Sequence, residues 1–574
     1  MTGIPARPGT SAPAHTSVAT YLAARLQQLG VDHLFGLPGD YNLALLDAML
    51  ATSTLEWVGC THELNAGYAA DGYARVRGLG ALVTTFGVGE LSAINAVAGS
   101  FAESVPVVQI TGAPPSSSAL EGALLHHTLA DGDFLHFLRA YREITAEAVV
   151  LTATAAPARI DWALATALDQ LRPVYLSVPE DLVELQVPSA PLLHDLRRRR
   201  SDPDALFAFT DALRNRLGAC PDPTILAGHL LERRALQPLI LRLAETGRAQ
   251  IATLTCCKGL LDEAHPAALG VYLGAMSPSG LARRCVEKSP ALVIAGAVLS
   301  DLVTGLFSHR IDLDAAIVLD LHQASLDETT YHGVELADSV QALLDLLEAG
   351  PSELRPRAVR VPTAATCDVS ISEEETLPLT QAQLWSQLAQ WIVPGTCVFA
   401  DAGTAFYGAA SMKLPPGATL RGQPTWSSIG YTLPALLGTL TADPDRSVLL
   451  VIGDGAAQLT FPELATILHR GQNPVIVLLN NAGYTVERAI RSPDAAYHDI
   501  TAWDWTKLAT ALGSPHRILA LTASTPGQLS EALGRADSEW HDGKRAVLIE
   551  VRLDRDDVPP LLATLAGSIG ERTR

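Results

Sequence analysis

The sequence predicts an α/β protein made of three doubly wound domains with mostly parallel sheets. The first observation is an alternation of helix-like and strand-like segments, which begins at 18–35 and recurs through 81–112 and 146–178. Such alternation is typical of a parallel sheet covered by helices. The second observation is that two polar segments, 188–205 and 351–378, interrupt the alternation, and we interpret them as linkers.

The two linkers divide the chain into domains at 17–190, 200–350 and 378–574. Residues 1–16 are interpreted as a loose Pro-rich tail without a secretory signal. The run Arg197–Arg200 in the first linker is interpreted as solvated charge and not as a docking patch.

In the first domain, apolar residues spaced by three or four positions from Val18 to Leu29 predict a helix. Gly30 is expected to end this helix, and residues 31–35 to form the strand that follows. In the middle domain, strand-like runs lie at 224–228, 291–299 and 315–321.

The third domain carries a strand–helix–strand pattern. We expect strands at 447–452 and 474–479. A helix is expected between these two strands. Thr460 and Glu463 have the spacing of a capping box for it, and Gly471 is expected to end it. With one crossover helix between them, the two strands lie parallel.

Composition excludes several classes of function. Hydrophobic residues make up 48% of the 574 positions, which is enough for several buried cores. The net charge of −20 disfavours nucleic acid as a partner, since phosphate binding needs clustered positive charge. Because no uninterrupted apolar run approaches about 20 residues, we expect no membrane partner. The seven cysteines are scattered without paired spacing, which favours free thiols in a cytoplasmic protein over disulfides or a zinc site.

Polar residues directly follow both strands of the pattern in the third domain. The triplet GDG at 453–455 follows the first strand, and Asn480 and Asn481 follow the second. Turns after parallel strands share the carboxyl edge of a sheet, where ligands bind. A carboxylate from Asp454, an amide oxygen and a backbone carbonyl suit Mg²⁺ or Ca²⁺ together with phosphate. The sequence therefore predicts a Mg²⁺–phosphate site.

The first domain holds further candidate groups. Glu63 begins the helix-like segment 60–78 among small and apolar residues, where a carboxylate could share a proton with a ring nitrogen. A helix-start acid stabilised by the macrodipole is the alternative. His126 and His127, if in a loop, can line one pocket and transfer protons, although surface histidines are an open alternative. Asp40 follows the first strand and is either a pocket acid or a turn residue.

Together these motifs resemble the thiamin-diphosphate-dependent 2-oxo acid decarboxylases, within them the pyruvate and indolepyruvate decarboxylase group, and most closely indolepyruvate and phenylpyruvate decarboxylases. The segments that carry the resemblance are FGLPGDYN (35–42), HELNAGYAADGYAR (62–75), GVGELSAINAVAGSFAE (87–103), LHHTLADGDF (125–134), GDG (453–455) and NNAGYTVERAI (480–490). The resemblance extends from about residue 17 to the C-terminus. It implies the fold of that family and a cofactor, thiamin diphosphate, held with Mg²⁺.

The resemblance also implies residue roles. Glu63 would hydrogen-bond the pyrimidine ring of the cofactor, and Ile429 would hold the cofactor bent. Asp454, the Asn481 side chain and the Gly483 carbonyl would bind Mg²⁺. The other implied cofactor contacts are Gly403, Thr404, Ser427, Gly453, Gly455, Ala456, Tyr484 and Thr485.

The reaction implied is attack of the thiazolium carbanion on a 2-oxo acid, loss of CO₂, protonation of the enamine and release of an aldehyde. The groups that would handle protons are Asp40, His126, His127 and Glu487. In this family the pyrimidine and diphosphate contacts come from different subunits. A homodimer at minimum, and a homotetramer as the expected assembly, therefore follow from the resemblance.

Departures from the family pattern concern substrate choice. Ala402 replaces Thr or Gln, and Val486 replaces an Ile of pyruvate-specific relatives. Both changes enlarge the pocket and favour indolepyruvate, phenylpyruvate or branched 2-oxo acids. Phe406 and Tyr407 could form its wall, or belong to the core. The remaining departures are Ser427 for Gly and Ala482 for an acid. A tail helix with Leu561, Leu562 and Leu565 on one face is expected to cover the site.

Three alternatives remain open at this point. A pyruvate decarboxylase would use the same chemistry on a smaller substrate. A carboligase would join the bound intermediate to a second carbonyl and give a hydroxyketone. A regulator that binds the cofactor without turnover belongs to another class, but it has no need of the complete acid–histidine set.

Overall fold

The computed structural model describes residues 14–196, 199–350, 377–541, 543 and 545–572. Residues 1–13 of the predicted tail, Arg197 and Arg198 of the arginine run, and 351–376 of the second linker lie outside the described residues. The chain forms two compact units: Met1–Phe101 with Val105–Arg198, and Ala102–Ser104 with Arg199–Arg574.

The first unit has a six-stranded, fully parallel sheet and a separate two-stranded antiparallel pair. The strands are β1 His15–Ser17, β2 His33–Gly36, β3 Glu56–Gly59, β4 Gly80–Thr85, β5 Val107–Ala113, β6 Glu147–Val150, β7 Val174–Pro179 and β8 Gln186–Pro188. The helices are α1 Val18–Gln28, α2 Leu43–Thr52, α3 Glu63–Arg77, α4 Val88–Ala102, α5 Ser116–Glu121, α6 His136–Arg142 and α7 Ala156–Gln170. The order of the six strands is β3-β2-β4-β5-β7-β6. The prediction of a loose tail up to residue 16 is wrong at its end, because His15 and Thr16 belong to β1, which pairs with β8.

The predicted first helix is confirmed as α1. The Ser17 hydroxyl accepts from the Thr20 N–H at its start, and Gly30 follows its end with φ +83°. The strand after it begins at residue 33 instead of 31, because Val31 and Asp32 belong to the connection between the helix and the strand.

Helices pack on both faces of this sheet. Leu82 of β4 lies close to Gly67 of α3, where a Cβ would meet its methyl group at 3.8 Å. The next residue, Val83, belongs to the apolar core that includes Leu22 of α1 and Leu164 of α7. Because successive strand residues face opposite sides, the two contacts identify a doubly wound layer.

The second unit contains two sheets. Its strands are β9 Thr224–Ala227, β10 Gln250–Leu254, β11 Ala268–Tyr272, β12 Leu292–Ala295, β13 Ile317–Leu319, β14 Gln323–Leu326, β15 Thr329–His332, β16 Cys397–Ala400, β17 Thr419–Arg421, β18 Val448–Gly453, β19 Val475–Asn480, β20 Ile518–Ala523 and β21 Ala546–Arg552. Its helices are α8 Pro203–Ala219, α9 His229–Arg233, α10 Gln237–Glu245, α11 Gly280–Glu287, α12 Leu336–Ala349, α13 Gln381–Trp391, α14 Thr404–Ser411, α15 Thr432–Ala442, α16 Asp454–Thr460, α17 Glu463–His469, α18 Thr485–Ile490, α19 Trp505–Gly513, α20 Pro526–His541 and α21 Pro560–Arg572.

The predicted α/β class with mostly parallel sheets is confirmed. One sheet has the order β11-β10-β9-β12-β13-β14-β15, in which β14 pairs antiparallel with both of its neighbours, β13 and β15, and the other pairs are parallel. The other has the order β17-β16-β18-β19-β21-β20 and is fully parallel. When the strands of each six-stranded sheet are numbered from one along the chain, this sheet and the sheet of the first unit have the same order. Among the described helices, none is long and apolar enough to cross a membrane.

The capping box predicted at Thr460 is wrong. Thr460 is the last residue of α16, and its hydroxyl donates to the Gly430 carbonyl at 2.8 Å. Glu463 begins a separate helix, α17, whose N-cap is Pro462. Gly471, with φ +77°, follows the end of α17 as expected.

Candidate active site

Three neighbouring parallel strands of the second unit end at the candidate site. The strands β16, β18 and β19 are adjacent, and Leu450 of β18 pairs with Ile476 of β19. Residues 401–404, 453–456 and 481–485 lie at these strand ends and in the first turns of the helices that follow; Gly453 ends β18, and Asp454 begins α16 directly, without the predicted turn. After β16 the chain passes first to β17 on one side and then to β18 on the other. Ligands of doubly wound sheets bind at this point.

A cavity of about 440 Å³ opens at this edge. All predicted cofactor, metal and pocket residues of the second unit line it, together with Glu487. They are Ala402, Gly403, Thr404, Phe406, Tyr407, Ser427, Ile429, Gly453, Asp454, Gly455, Ala456, Asn481, Gly483, Tyr484, Thr485 and Val486. Residues up to 85 positions apart in the sequence therefore line one cavity.

Asp454 is the buried acid of the cavity. Its carboxylate is 2% exposed and accepts from the backbone N–H of Gly455 at 2.8 Å and of Gly483 at 3.2 Å. Burial raises the pKa of Asp454 to about 6, although these hydrogen bonds act in the opposite direction. A buried carboxylate of this kind is stabilised by a cation.

The side-chain amide of Asn481 completes a set of oxygen ligands. One of its two terminal atoms lies 3.2 Å from Asp454 Oδ1 and 2.9 Å from the Gly483 carbonyl oxygen. With the amide oxygen in that place, three oxygens converge with no proton between them, which is the ligand set of a hard cation. With the nitrogen there, the amide donates to both, and its oxygen accepts from the Thr485 hydroxyl at 3.0 Å.

The turns around this ligand set leave space for a phosphate group. A Cβ at Gly455 would come within 2.7 Å of the Tyr484 ring, so glycine is required there. Gly403 has φ +133°, a conformation that excludes most side chains, and leads into α14. The free backbone N–H groups at the start of such a helix attract anions. Glycine turns beside oxygen ligands therefore fit a diphosphate bound through a metal.

Ser427 occupies a backbone conformation that favours glycine. Its φ is +56°, in the left-handed region. This conformation explains why glycine is usual at this position, and it means that the serine here has a strained backbone. Its N–H donates to the Gln423 carbonyl at 2.7 Å, so the turn is held by its own backbone.

Two buried ionisable residues that sequence reasoning missed hold the site loops. The Asp401 carboxylate accepts from the N–H groups of Gly430 at 2.9 Å and Thr432 at 3.0 Å, which fixes the loop that carries Ile429. Burial raises the pKa of Asp401 to about 6. Arg488 is 3% exposed and donates to the Ala482 carbonyl at 2.8 Å. Arg488 lies within the segment 480–490 that carries the resemblance, but no residue spacing indicates that either side chain holds a loop.

The cavity also has an apolar wall that the sequence predicted only in part. Val486 was predicted here, and Phe406 and Tyr407, left open between wall and core, also line the cavity. Leu273 and Leu302 were not predicted and come from the region of the other sheet in this unit. Burial raises the pKa of Tyr407 to about 12, with further contributions from the charges of Asp301 and Glu487.

The predicted tail helix is present as α21. Leu561, Leu562 and Leu565 are at most 8% exposed, which confirms their common buried face. The helix packs against α14 and α18, and Leu561 lines the cavity. It is therefore part of the cavity wall.

In the first unit, both histidines meet one carboxylate. The His126 Nε2 atom is hydrogen-bonded to Asp40, and His127 Nδ1 lies 3.7 Å from Asp40 Oδ1. Tyr41 stacks on His126 with ring centroids 5.0 Å apart. Burial raises the pKa of Asp40, but the hydrogen bond and charge of His126 outweigh it and lower that pKa. A carboxylate with two imidazoles can accept, hold and return a proton.

The loop that carries these histidines is tightly held. His127 has φ +61°, and a Cβ at Gly87 would lie 1.9 Å from the His127 carbonyl oxygen. Glu63 is the first residue of α3, follows β3 and is partly exposed. Its carboxylate faces Gly89, where a Cβ would lie 3.3 Å from Glu63 Oε1. Asp40, Glu63 and the histidine loop thus all follow the carboxyl ends of strands in the first unit.

Three family models match the chain. They are described as Thiamine pyrophosphate enzyme, N-terminal TPP binding domain, over residues 16–135; central domain, over 211–347; and C-terminal TPP binding domain, over 401–551. Thiamine pyrophosphate is another name for thiamin diphosphate.

Similar curated proteins are named Alpha-keto-acid decarboxylase. The protein of Mycobacterium tuberculosis (strain ATCC 25618 / H37Rv) is 45% identical over 561 residues, 97% of this chain and 98% of the relative. The protein of Mycobacterium ulcerans (strain Agy99) is 45% identical over 97% of this chain and 96% of the relative. That of Mycolicibacterium paratuberculosis (strain ATCC BAA-968 / K-10) is 45% identical over 98% of each.

Proposed function

Because this chain belongs to the thiamin-diphosphate-dependent 2-oxo acid decarboxylases, we propose that its substrates are bulky: indolepyruvate, phenylpyruvate or branched 2-oxo acids. The observation that carries this proposal is the apolar wall of the cavity, where Val486 lies with Leu302 and Leu561 and where Ala402 contributes only a methyl group. Burying an aromatic side chain against such a wall is favourable by about 25 cal/mol per Å². Pyruvate offers only a methyl group for this contact.

For the cofactor, we propose that the diphosphate is held by the glycine turns at 453–455 and 403–404, and the metal by Asp454, Asn481 and Gly483. The converging oxygens support Mg²⁺ as this metal. When bound, thiamin diphosphate supplies an electron sink for the bond broken as CO₂ leaves. Asp401 and Arg488 have a different task, which is to keep the two ligand-bearing loops in place.

Proton transfer is assigned to the acids and histidines. Glu63 would share a proton with the cofactor's ring nitrogen, and its position at the start of α3 fixes where that proton lies. Asp40 with His126 and His127 can exchange a proton within one hydrogen-bonded cluster, and Glu487 presents a carboxylate at the cavity. We also propose a homodimer at minimum, a homotetramer as the full assembly, and a cytoplasmic location, all three resting on sequence and resemblance.

Val486→Ile tests the substrate proposal. The added methylene narrows the apolar wall, so the ratio of kcat/KM for pyruvate to that for phenylpyruvate should rise by about 10- to 200-fold. The measurement is steady-state aldehyde formation with each substrate. Val298→Ile is the matched control, since Val298 is 43% exposed and does not line the cavity. An unchanged ratio in Val486→Ile would remove Val486 from the substrate pocket.

A further inference from the structure

A cysteine and a histidine meet at the carboxyl ends of two neighbouring strands beside the cavity. The strands β9 and β10 pair in parallel, with Ala227 opposite Thr253. His229 begins α9 just after β9, and Cys256 lies in the turn after β10. The Cys256 sulfur is 3.6 Å from His229 Nδ1. Two residues 27 positions apart are therefore brought into contact by the sheet.

The contact is specific on both sides. His229 is 3% exposed, and among the described residues its Nε2 atom has no partner, so the sulfur is what its ring meets. The neighbouring Cys257 is 0% exposed, and its sulfur lies 3.2 Å from the Ala227 carbonyl oxygen. Cys257 is therefore a structural thiol, whereas Cys256 is partly exposed and faces an imidazole.

The surroundings of Cys256 favour its thiolate. The hydrogen bond from Cys257 lowers the pKa of the Cys256 thiol well below its usual range, burial opposes this, and His229 and Arg233 lower it further. The charged groups around this turn are Arg233, which pairs with Glu232 at 3.4 Å, Arg421, which pairs with Glu232 at 2.5 Å, and Lys258, which pairs with Glu263 at 2.5 Å. Glu232 and Glu263 are thus each paired with a cationic side chain, and the His229 imidazole contacts the Cys256 sulfur.

We propose that Cys256 and His229 form a nucleophilic thiol–imidazole pair and that Cys256 is a modification site for soft electrophiles. The thiol proton passes to the imidazole. The sulfur lone pair then forms a bond to the electrophilic atom, and the leaving group departs with the electrons of the bond that breaks. With iodoacetamide, an S–C bond forms, the C–I bond breaks and iodide leaves, so no oxidant or reductant is required.

Modification at this position would reach the cavity. Thr255, the residue before Cys256, lines it. The Lys258 carbonyl accepts from the Leu420 N–H of β17 at 3.0 Å, and β17 leads to Gln423 in the cavity wall. An adduct on Cys256 would displace this turn, so decarboxylase activity should fall in proportion to labelling.

The test is site-resolved alkylation of the holoenzyme. Limiting iodoacetamide is added between pH 6 and 9, and each cysteine peptide is quantified by mass spectrometry. At pH 7, Cys256 should react about tenfold faster than the partly exposed Cys220 and Cys285, with a lower pH midpoint. His229→Asn should slow Cys256 about tenfold and raise its midpoint, without changing Cys220 or Cys285.

Two results would overturn the proposal. One is a Cys256 rate and midpoint equal to those of Cys220 in the wild type. The other is an unchanged Cys256 rate in His229→Asn. Cys397 is 1% exposed, so its labelling in His229→Asn would show that this variant has partly unfolded. In that case the proposal is judged by the pH profile of the wild-type enzyme alone. Cys256→Ser should keep its activity and resist inactivation; inactivation at the wild-type rate would contradict the link to the cavity.

Discussion

Glu63→Gln should lower kcat for 2-oxo acid decarboxylation by about 10²- to 10⁴-fold, the usual contribution of one general acid–base group. The substitution keeps the size and hydrogen-bonding capacity of the side chain but removes the proton that the carboxyl group can exchange. Because Glu63 is partly exposed at the first turn of α3, the fold should tolerate the change. Steady-state CO₂ release at saturating substrate, thiamin diphosphate and Mg²⁺ measures kcat.

The control for this variant is Glu143→Gln. Glu143 follows α6 in the same unit and is exposed, so its charge is removed without touching a candidate site residue. Its activity should equal that of the wild type. If kcat of Glu63→Gln were within about twofold of the wild-type value, Glu63 would not transfer a proton. Its role would then be the favourable interaction of an acid with the N-terminus of α3.

Asp454→Asn should abolish measurable activity at ordinary Mg²⁺ concentrations. The carboxylate is the only charged member of the converging oxygen set, and two backbone N–H groups fix its direction. Even residues that merely support a metal ligand contribute about 10- to 100-fold to affinity, so loss of the charged ligand should raise the half-saturating Mg²⁺ concentration by more than about 100-fold. Titration of activity with Mg²⁺ at fixed thiamin diphosphate measures this.

Asp445→Asn is the matched control. Asp445 lies in the exposed turn that precedes the same strand, β18. It should titrate with Mg²⁺ as the wild type does. If Asp454→Asn also did so, the acid would be a structural one and the metal would have to bind elsewhere.

The parts of the site predicted from sequence are those fixed by the ends of strands. Asp454 and Asn481 directly follow β18 and β19, and parallel pairing alone places both at one edge. Asp40 comes four residues after the end of β2, and His126 and His127 contact it. For Asp454 and Asn481, the local pattern and the sheet topology require the same position.

What the sequence could not predict depends on contacts between distant segments. Asp401 holds Thr432, 31 positions away, and Leu302 joins Val486 in one wall only through packing. The failed capping box has the same origin. The Thr460 hydroxyl bonds to Gly430, a tertiary partner that no local spacing reveals, and so does not cap the next helix.

We propose that this chain decarboxylates bulky 2-oxo acids with thiamin diphosphate and Mg²⁺. The most direct measurement is CO₂ release from pyruvate, a branched 2-oxo acid, phenylpyruvate and indolepyruvate, with both cofactors and with each omitted. We expect release only with both, and the largest kcat/KM for an aryl or branched substrate. Pyruvate as the best substrate would contradict the assignment of a pocket for bulky substrates, and CO₂ release without thiamin diphosphate would contradict decarboxylation through this cofactor.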